Sequence, residues 1–352
     1  PLSHALGAPA CTSLGTAITS TACDWRVSDL VWVYTLFFVV LGLAAALFGG
    51  WVERVGPRVA GLVAAGCWCG GMAIGAVGVF AHQLWLLWLG AGAIGGIGLG
   101  IGYITPVSTL IKWFPDRRGL ATGMAIMGFG GGAMVGSPAA DRLMAGFAGP
   151  GDAGVWQAML VLAGVYALFM VAGALGFRLP APGWAPPRPT DSGKTDVIAN
   201  DRYVPLARAW RTPQFALLWC VLLLNVSASI GIIGLASPMV QDIFGGALFG
   251  STTRFADFSA ADTAAAAAAG AGFVGLISLF NIAGRFIWAS LSDRIGRRAM
   301  YAAILALGAA CYGLVLPGGP ALPLFVATFA LIASMYGGGF AAVPAWLADL
   351  FG

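Results

Sequence analysis

The sequence predicts an all-α membrane protein, and three observations point to this fold class. Of the 352 residues, 59% are hydrophobic and only 9% are charged. A soluble domain carries about 25% charged residues, so this chain has too few to cover a surface that faces water. The mean hydropathy is +0.87. The apolar residues fall in long runs separated by short charged clusters, which is the pattern of a chain that crosses a bilayer as helices.

The first part of the chain predicts five spans after a polar segment. Residues 1–26 are rich in Ser, Thr, Ala and Gly and hold no long apolar run, so we expect them to form an external segment. Each apolar run that follows has about the 20 residues that a helix needs to cross the hydrocarbon core. Within the third run, Gly92, Gly96 and Gly100 predict close contact with another helix. The five runs lie at about residues 29–50, 59–80, 84–110, 120–144 and 155–177.

A proline-rich, polar stretch then separates these spans from four more. Residues 179–213 contain a cluster of prolines followed by charged residues such as Lys194, which predicts a linker that is semi-stiff at first and then flexible. A second polar stretch, residues 241–263, is expected to be an external loop. The four further spans lie at about residues 214–240, 264–291, 299–316 and 322–347.

The basic residues predict the orientation of these spans. Most of the lysines and arginines fall in alternate loops, whereas the opposite loops hold only Arg26, Arg142 and Arg254. Cytoplasmic loops of membrane proteins carry an excess of Lys and Arg, so the basic loops and the linker are predicted to be cytoplasmic. The net charge of +4 therefore reflects topology, and no nucleic-acid partner is expected. Cys11 and Cys23 are predicted to be external, where a disulfide and two free thiols both remain open.

One short pattern occurs twice, once on each side of the linker. In each copy a small residue is followed, at a fixed spacing, by an acid, an arginine, a glycine and a basic residue. The acid can cap a neighbouring helix N-terminus, and the glycine permits a tight turn. Two basic loops that are alike only because of topology are the alternative. The first signature loop holds Gly49, Glu53, Arg54, Gly56 and Arg58, and the second holds Ala289, Asp293, Arg294, Gly296, Arg297 and Arg298.

This repeated loop resembles the signature loop of the major facilitator superfamily. In that family the loop follows the second helix of each six-helix half, so the spans would be family helices two to six and seven to ten. The resemblance implies a bundle of two halves with about nine of twelve transmembrane helices in this sequence. We expect helices one, eleven and twelve to lie outside it. The expected parts are an N-terminal half at 1–178, a cytoplasmic linker at 179–213 and a C-terminal half at 214–352.

Further motifs resemble the oxalate:formate antiporter branch of the superfamily. They are spread over nearly the whole chain and are more specific than the signature loop. The branch exchanges small carboxylates across the inner membrane, and its members differ in substrate. The motifs are residues 98–107 (GLGIGYITPV), 112–119 (KWFPDRRG), 127–133 (MGFGGGA), 278–285 (SLFNIAGR) and 335–340 (MYGGGF).

Arg285 is the leading candidate for substrate binding. It lies in an apolar span, where a charged side chain is expensive and normally faces the protein interior or a watery cavity. All fourteen acidic residues fall in loops or at span ends, which favours a substrate carboxylate as the counter-ion. Backbone carbonyls, or an acid in a helix outside this sequence, are the alternatives. Asn281 lies four residues earlier and so on the same helical face. The resemblance implies that this arginine binds the anion.

Two tyrosines and one turn complete the candidate residues. Tyr103 and Tyr336 lie mid-span and match aromatic positions that line the site in the family, although ordinary helix packing is also open for each. Either hydroxyl could donate a hydrogen bond to an anion. The basic turn that follows the third span serves topology alone or forms an ion-pair latch with a signature loop. Its charged residues are Asp116, Arg117 and Arg118.

The expected function is secondary transport of a small carboxylate by alternating access, with the site at the membrane midplane between the halves. Anion exchange of the oxalate:formate type is preferred because the spans hold no mid-membrane carboxylate that could carry a proton. A proton-coupled symporter of the pyruvate or lactate type and a non-transporting anion sensor are the alternatives. We expect a multi-pass protein of the inner or plasma membrane whose partners are the anion and the lipid bilayer. No enzyme activity, cofactor, metal site or obligate protein partner is expected.

Overall fold

A computed structural model describes residues 9–149, 152–181, 184, 204–248, 258–315 and 321–351. Within these residues the secondary structure consists of helices and two isolated β-bridges, without any strand. Two of the helices are short, α1 (Leu14–Thr19) and α7 (Leu206–Ala209). The long helices are α2 (Val27–Val55), α3 (Pro57–Phe80), α4 (Leu84–Trp113), α5 (Arg118–Phe147), α6 (Val155–Gly176), α8 (Pro213–Leu248), α9 (Ala260–Ile295), α10 (Arg297–Val315) and α11 (Leu322–Phe351).

The predicted fold class is confirmed. Every predicted span coincides with one of the long helices. Eight helices in the described part of the chain are long and apolar enough to cross a membrane, and α10 is not among these eight. Several are longer than the predicted spans because their ends continue past the apolar run. Most of the linker with Lys194, residues 249–257 of the expected external loop and residues 316–320 lie outside the described residues.

Helix α4 departs from regular α-helical geometry, which the sequence analysis did not predict. Between Leu87 and Gly95 the chain forms a π-helix, Trp88–Ile94, in which each backbone N–H bonds one residue further back than in an α-helix. Pro106 lies in the α-helical part that follows. A π-segment inside a helix is uncommon and occurs often at functional sites.

The chain divides into two compact units. The first contains Pro1–Trp113 and Gly136–Trp184. Its helices α2, α3 and α4 touch at glycines, as the spacing of Gly92, Gly96 and Gly100 predicted for α4. A Cβ atom on Gly90 would lie 2.5 Å from the backbone nitrogen of Gly75, and one on Gly100 would lie 2.7 Å from the carbonyl oxygen of Leu41. Such close backbone approach lets small residues hold helices together in a membrane.

A disulfide between Cys11 and Cys23 closes the segment before α2. The Trp25 ring stacks on the ring of His82, with 4.3 Å between the centroids. Nε2 of His82 lies 2.9 Å from the carbonyl oxygen of Cys23. The segment is therefore fixed to the turn between α3 and α4, and the alternative of two free thiols does not describe this structure.

The second unit contains Phe114–Val135 and Ala185–Gly352. Helix α11 is the centre of this unit, because most of its residues between Phe325 and Ala345 are buried. One core cluster joins α8, α9 and α11 around Phe325 and Phe329. Another joins α8, α10 and α11 around Tyr301 and Met335. The predicted division into two halves at the linker stays a prediction.

Candidate substrate-binding site

Arg285 lies in α9, about two helical turns before Asp293, and is only 2% exposed. Its Nε donates a hydrogen bond of 2.8 Å to Oδ1 of Asn281, one helical turn earlier. Its Nη1 donates to the carbonyl oxygen of Ile126 on α5 at 3.2 Å. Because Nε and Nη1 bond to different helices, these two bonds fix the plane of the guanidinium before any ligand binds.

Aromatic rings flank the guanidinium of Arg285. Its Cζ lies 5.4 Å from the centroid of the Phe129 ring on α5 and 5.5 Å from that of the Phe340 ring on α11. A cation within about 6 Å of an aromatic face is attracted by the negative charge density of the ring. The rings therefore compensate part of the cost of burying this charge and exclude water from around it.

Glycines on both neighbouring helices make room for the arginine. A Cβ atom on Gly130 would lie 3.0 Å from Nε of Arg285, and one on Gly337 would lie 3.0 Å from its Cγ. The glycine-rich stretches of α5 and α11 thus pack directly against the stem and head of this side chain. Larger residues at these positions would displace it.

The other predicted substrate-binding residues lie on α9, α11 and α4. Asn281 is buried beside Arg285. Tyr336 is half-buried on α11, one turn before Phe340, with 6.5 Å between the two ring centroids. Tyr103 is half-buried on α4 in the first compact unit. Its predicted role together with Arg285 stays a prediction.

Three neighbours of Arg285 have no role predicted from the sequence. Phe129 and Phe340 lie in two of the family motifs but have no predicted role of their own. The backbone carbonyl of Ile126 cannot be recognised as a binding group from the sequence. A usable signal was present for the two rings, because each lies beside a run of three glycines, Gly130–Gly132 or Gly337–Gly339. An aromatic residue beside small residues is a candidate for the wall of a buried site.

The second signature loop binds the start of α5. Both carboxylate oxygens of Asp293 accept backbone hydrogen bonds, from Gly119 at 2.9 Å and from Leu120 at 2.8 Å. Oδ1 of Asp293 also pairs with Nη1 of Arg297 at 2.7 Å. The carboxylate therefore satisfies two N–H groups that the first turn of a helix leaves without intrahelical partners, and it lies at the positive end of the helix dipole.

The charges around Asp293 continue to the end of α11. Asp349 pairs with Arg297 at 2.9 Å and with Arg118 at 3.3 Å. Arg118 also donates to the carbonyl oxygen of Ala348 at 2.6 Å. These contacts join the start of α5, the junction between α9 and α10, and the end of α11 in one network. Arg294 and Arg298 are exposed, and Gly296 adopts a φ of 88° that favours glycine in the turn.

The first signature loop makes weaker contacts, all in the first compact unit. Glu53 pairs with Lys112 at 2.7 Å, and both side chains are largely exposed. Arg58 donates to the carbonyl oxygen of Phe177 at 2.7 Å, and Arg54 donates to that of Gly50 at 3.1 Å. The turn glycine, Gly56, has a φ of 81° like Gly296. A Cβ atom on Gly49 would have no neighbouring atom within 4 Å. In the basic turn after α4, which belongs to the second unit, Asp116 pairs with its neighbour Arg117 at 3.7 Å.

Comparison with known proteins defines the class to which this bundle belongs. The profile of the Major Facilitator Superfamily matches residues 2–352, so the chain belongs to this family of membrane transporters. The chain is therefore a multi-pass membrane protein with the fold that the repeated signature loop predicted.

Several curated proteins are similar to the chain. An uncharacterized MFS-type transporter of Escherichia coli strain K12, YhjX, is 26% identical over 359 residues, which cover 99% of this chain and 78% of the relative. The oxalate:formate antiporter of Oxalobacter formigenes is 26% identical over 311 residues, covering 86% of this chain and 64% of that protein. Human monocarboxylate transporter 11 is 32% identical over 186 residues, covering 50% and 36%. The chain thus spans less than two thirds of the length of the last two relatives.

Proposed function

We propose that this chain is a secondary transporter of small carboxylate anions that works by alternating access and exchanges one anion for another. The observation that carries the proposal is Arg285, a cation that is only 2% exposed within the membrane-spanning helix α9. A charge at that depth is expensive, and in transporters it marks the substrate pathway. We also propose that the protein lies in the inner or plasma membrane.

The shape of the site suits a small carboxylate. A guanidinium is a planar fork that can bind both oxygens of one carboxylate, and charge-assisted bonds of this kind are the strong ones. Asn281 and Ile126 fix the fork, and the rings of Phe129 and Phe340 lie beside it. Tyr336 would add a hydroxyl donor to the bound anion. The similarity to an oxalate:formate antiporter supports the same substrate class.

Exchange is preferred over proton symport because the spans hold their acidic residues at the ends, where none can carry a proton at the level of Arg285. The second candidate is a proton-coupled monocarboxylate carrier. It is supported by the similarity to a monocarboxylate transporter and to apicoplast pyruvate carrier 1 of Toxoplasma gondii, which is 34% identical over 125 residues, covering 36% of this chain and 22% of that protein.

Replacing Arg285 tests the site. In the purified full-length protein, Arg285→Gln removes the charge and Arg285→Lys keeps it while removing the planar fork. The loss of a charge-assisted contact of roughly 2–3 kcal/mol weakens anion binding by about thirty- to 150-fold. Both variants should lose affinity, with lysine retaining more if charge dominates. Arg142→Gln makes the same chemical change at an exposed position of α5 and should bind like the wild type. Near-normal affinity in Arg285→Gln would refute the site.

Counterflow in proteoliposomes tests exchange. Vesicles loaded with unlabelled carboxylate should accumulate labelled carboxylate from outside, and a pH gradient alone should not drive uptake. Uptake driven by the pH gradient into unloaded vesicles would favour the symporter instead. Tight binding without any flux would identify a sensor and overturn transport.

A further inference from the structure

The short helix α7 and the turn that joins it to α8 present two apolar and two basic side chains outward. Leu206 is 73% exposed and Trp210 is 54% exposed. Arg208 and Arg211 are exposed as well, whereas Ala209 is buried against the protein. We call Leu206, Arg208, Trp210 and Arg211 the α7 surface. Large apolar groups next to cations are the composition of a segment that lies at a membrane surface.

The α7 surface has an apolar side and a basic side. Leu206 and Trp210 are four residues apart and Arg208 and Arg211 are three apart, and residues at these spacings are neighbours on a helical backbone. Cζ of Arg211 lies 5.0 Å from the centroid of the Trp210 ring, so the two sides meet in a cation–π contact. The chain from Val204 to Gln241 contains these two arginines and no acidic residue. Neither α7 nor the helix that follows therefore offsets this positive charge.

Hydrogen bonds fix the α7 surface to the second compact unit. The backbone N–H of Val204 donates to the carbonyl oxygen of Phe351, at the end of α11, at 2.9 Å. Oγ1 of Thr212 donates to the carbonyl oxygen of Ala209 at 2.7 Å and accepts from the backbone N–H of Phe215 at 3.3 Å. Thr212 thereby satisfies one N–H group in the first turn of α8. The α7 surface is thus held in a defined position at the start of this helix.

The exposed face of α8 places the α7 surface at the edge of the bilayer. Helix α8 is long and apolar enough to cross a membrane. Leu217, about one turn after its start, is 67% exposed, and Trp219 and Leu224 are 56% and 67% exposed. Apolar side chains exposed on such a helix face the hydrocarbon. The α7 surface comes directly before them, at the level of the headgroups, where tryptophan is enriched in membrane proteins.

We propose that the α7 surface binds the headgroup of an anionic phospholipid on the predicted cytoplasmic side of the membrane. Arg208 and Arg211 bind the phosphate, for which a guanidinium is the preferred side chain. Leu206 and Trp210 lie against the apolar part of the same lipid. Anionic lipids give the cytoplasmic leaflet a negative surface potential, which attracts basic residues near it. This binding goes beyond the proposed transport function and does not depend on it.

Phosphatidylglycerol and phosphatidylcholine with the same acyl chains test this proposal, because only the first has a net negative charge. Purified full-length protein in a neutral detergent is titrated with each lipid, and native mass spectrometry measures the bound lipid. We expect the wild type to bind phosphatidylglycerol about thirtyfold more tightly, the effect of about 1 kcal/mol for each arginine. Arg208→Gln/Arg211→Gln should lose this preference. Trp210→Ala should weaken the binding of both lipids.

The matched control is Arg294→Gln/Arg298→Gln, which removes the same charge from two exposed arginines of the second signature loop and should keep the preference. An equal loss in this control would show attraction by overall charge and refute the α7 surface as the site. Equal binding of the two lipids by the wild type, or normal lipid binding in Trp210→Ala, would refute it too.

Two other occupants of the α7 surface are distinguished in the same spectra. Inorganic phosphate at the same concentration should not displace phosphatidylglycerol, and displacement would identify a site for a soluble anion instead of a lipid. Dimers of the wild type that are absent from Arg208→Gln/Arg211→Gln would identify a second copy of the chain as the occupant. Either result would overturn the proposal.

Discussion

Arg285 shows how a buried charge is kept in one orientation. Its Nε and Nη1 are bound to different helices, Asn281 on its own helix and Ile126 on α5. A long side chain loses rotamer freedom when it is ordered, and these bonds make that loss part of folding rather than of ligand binding. A preorganised guanidinium can then use more of its interaction with an anion for affinity.

The sequence could predict one part of this environment. The spacing of four residues placed Asn281 on the same face as Arg285, and the structure shows the hydrogen bond between them. The remaining neighbours could not be predicted, because Ile126 contributes only its backbone and Phe129 and Phe340 come from other helices. Which residue of a distant helix faces a given side chain is decided by how the helices pack, and no local pattern contains it.

Asp152, between α5 and α6, predicts a pH dependence of stability. The pKa of its carboxyl is lowered chiefly by the side-chain amide of Gln157, at 2.5 Å, and further by the backbone N–H of Gly154, at 2.8 Å. The folded pKa is below the unfolded value, so this stabilisation is present above the unfolded value of about 4 and is lost as the pH falls through the folded pKa. Asp152→Asn should therefore lower the thermal midpoint at pH 7, and the effect should shrink as the pH falls below about 4.

The matched control for this change is Asp242→Asn, at an exposed carboxylate of α8. It should leave the thermal midpoint of the detergent-solubilised protein close to that of the wild type over the same pH range. An Asp152→Asn effect of equal size at pH 7 and pH 3 would show that the carboxylate charge does not stabilise the turn.

At the scale of elements, the two signature loops have the same sequence pattern but different surroundings. Asp293 caps the first turn of α5 and is mostly buried, whereas Glu53 forms an exposed pair with Lys112. An exposed ion pair contributes about 0–1 kcal/mol, while a charge-assisted bond to a helix N-terminus contributes more. The repeated pattern therefore does not imply equal energetic importance.

This difference predicts unequal effects of the same substitution. Asp293→Asn weakens one backbone contact and removes the charge opposite Arg297, so it should destabilise the protein by roughly 1–3 kcal/mol. Glu53→Gln should change stability by less than about 1 kcal/mol. Thermal unfolding and counterflow rates of the two variants provide the comparison. Asp293→Asn should slow transport without changing the ratio of affinities for two carboxylates.

A changed affinity ratio in Asp293→Asn would contradict the assignment of this loop to helix attachment. Equal effects of the two substitutions on the thermal midpoint would contradict the difference between the loops. Both measurements use the full-length protein in the same detergent, so that the surroundings of the two loops are comparable.

At the scale of the whole molecule, hydropathy predicted the spans well and their internal geometry poorly. The run at 84–110 is apolar throughout, and α4 indeed covers it. The π-segment within it was not predictable, because leucine, tryptophan and glycine are compatible with both kinds of turn. Gly90 within this segment packs against Gly71 and Gly75 of α3, a tertiary contact that the local sequence does not contain.

The predicted orientation can be tested through the external cysteines. Cys11 and Cys23 are joined in the structure, so an impermeant thiol reagent should label intact cells at these residues only after mild reduction. Cys11→Ser/Cys23→Ser is the control and should lose this labelling, because the other cysteines lie in the helices. Labelling of the wild type that requires breaching the membrane would show that the orientation is inverted.

The π-segment in α4 also predicts a pattern in the sequences of related proteins. A π-turn holds about one residue more than an α-turn, because its hydrogen bonds reach one residue further, so a single inserted residue can widen one turn while the helix on either side continues. A relative whose corresponding helix is regular should then lack one residue within Trp88–Ile94, and an alignment of many relatives should place a one-residue gap there. Lineages with that gap should have lost the reason for glycine at the positions of Gly71 and Gly75, so larger residues should appear there together with the deletion.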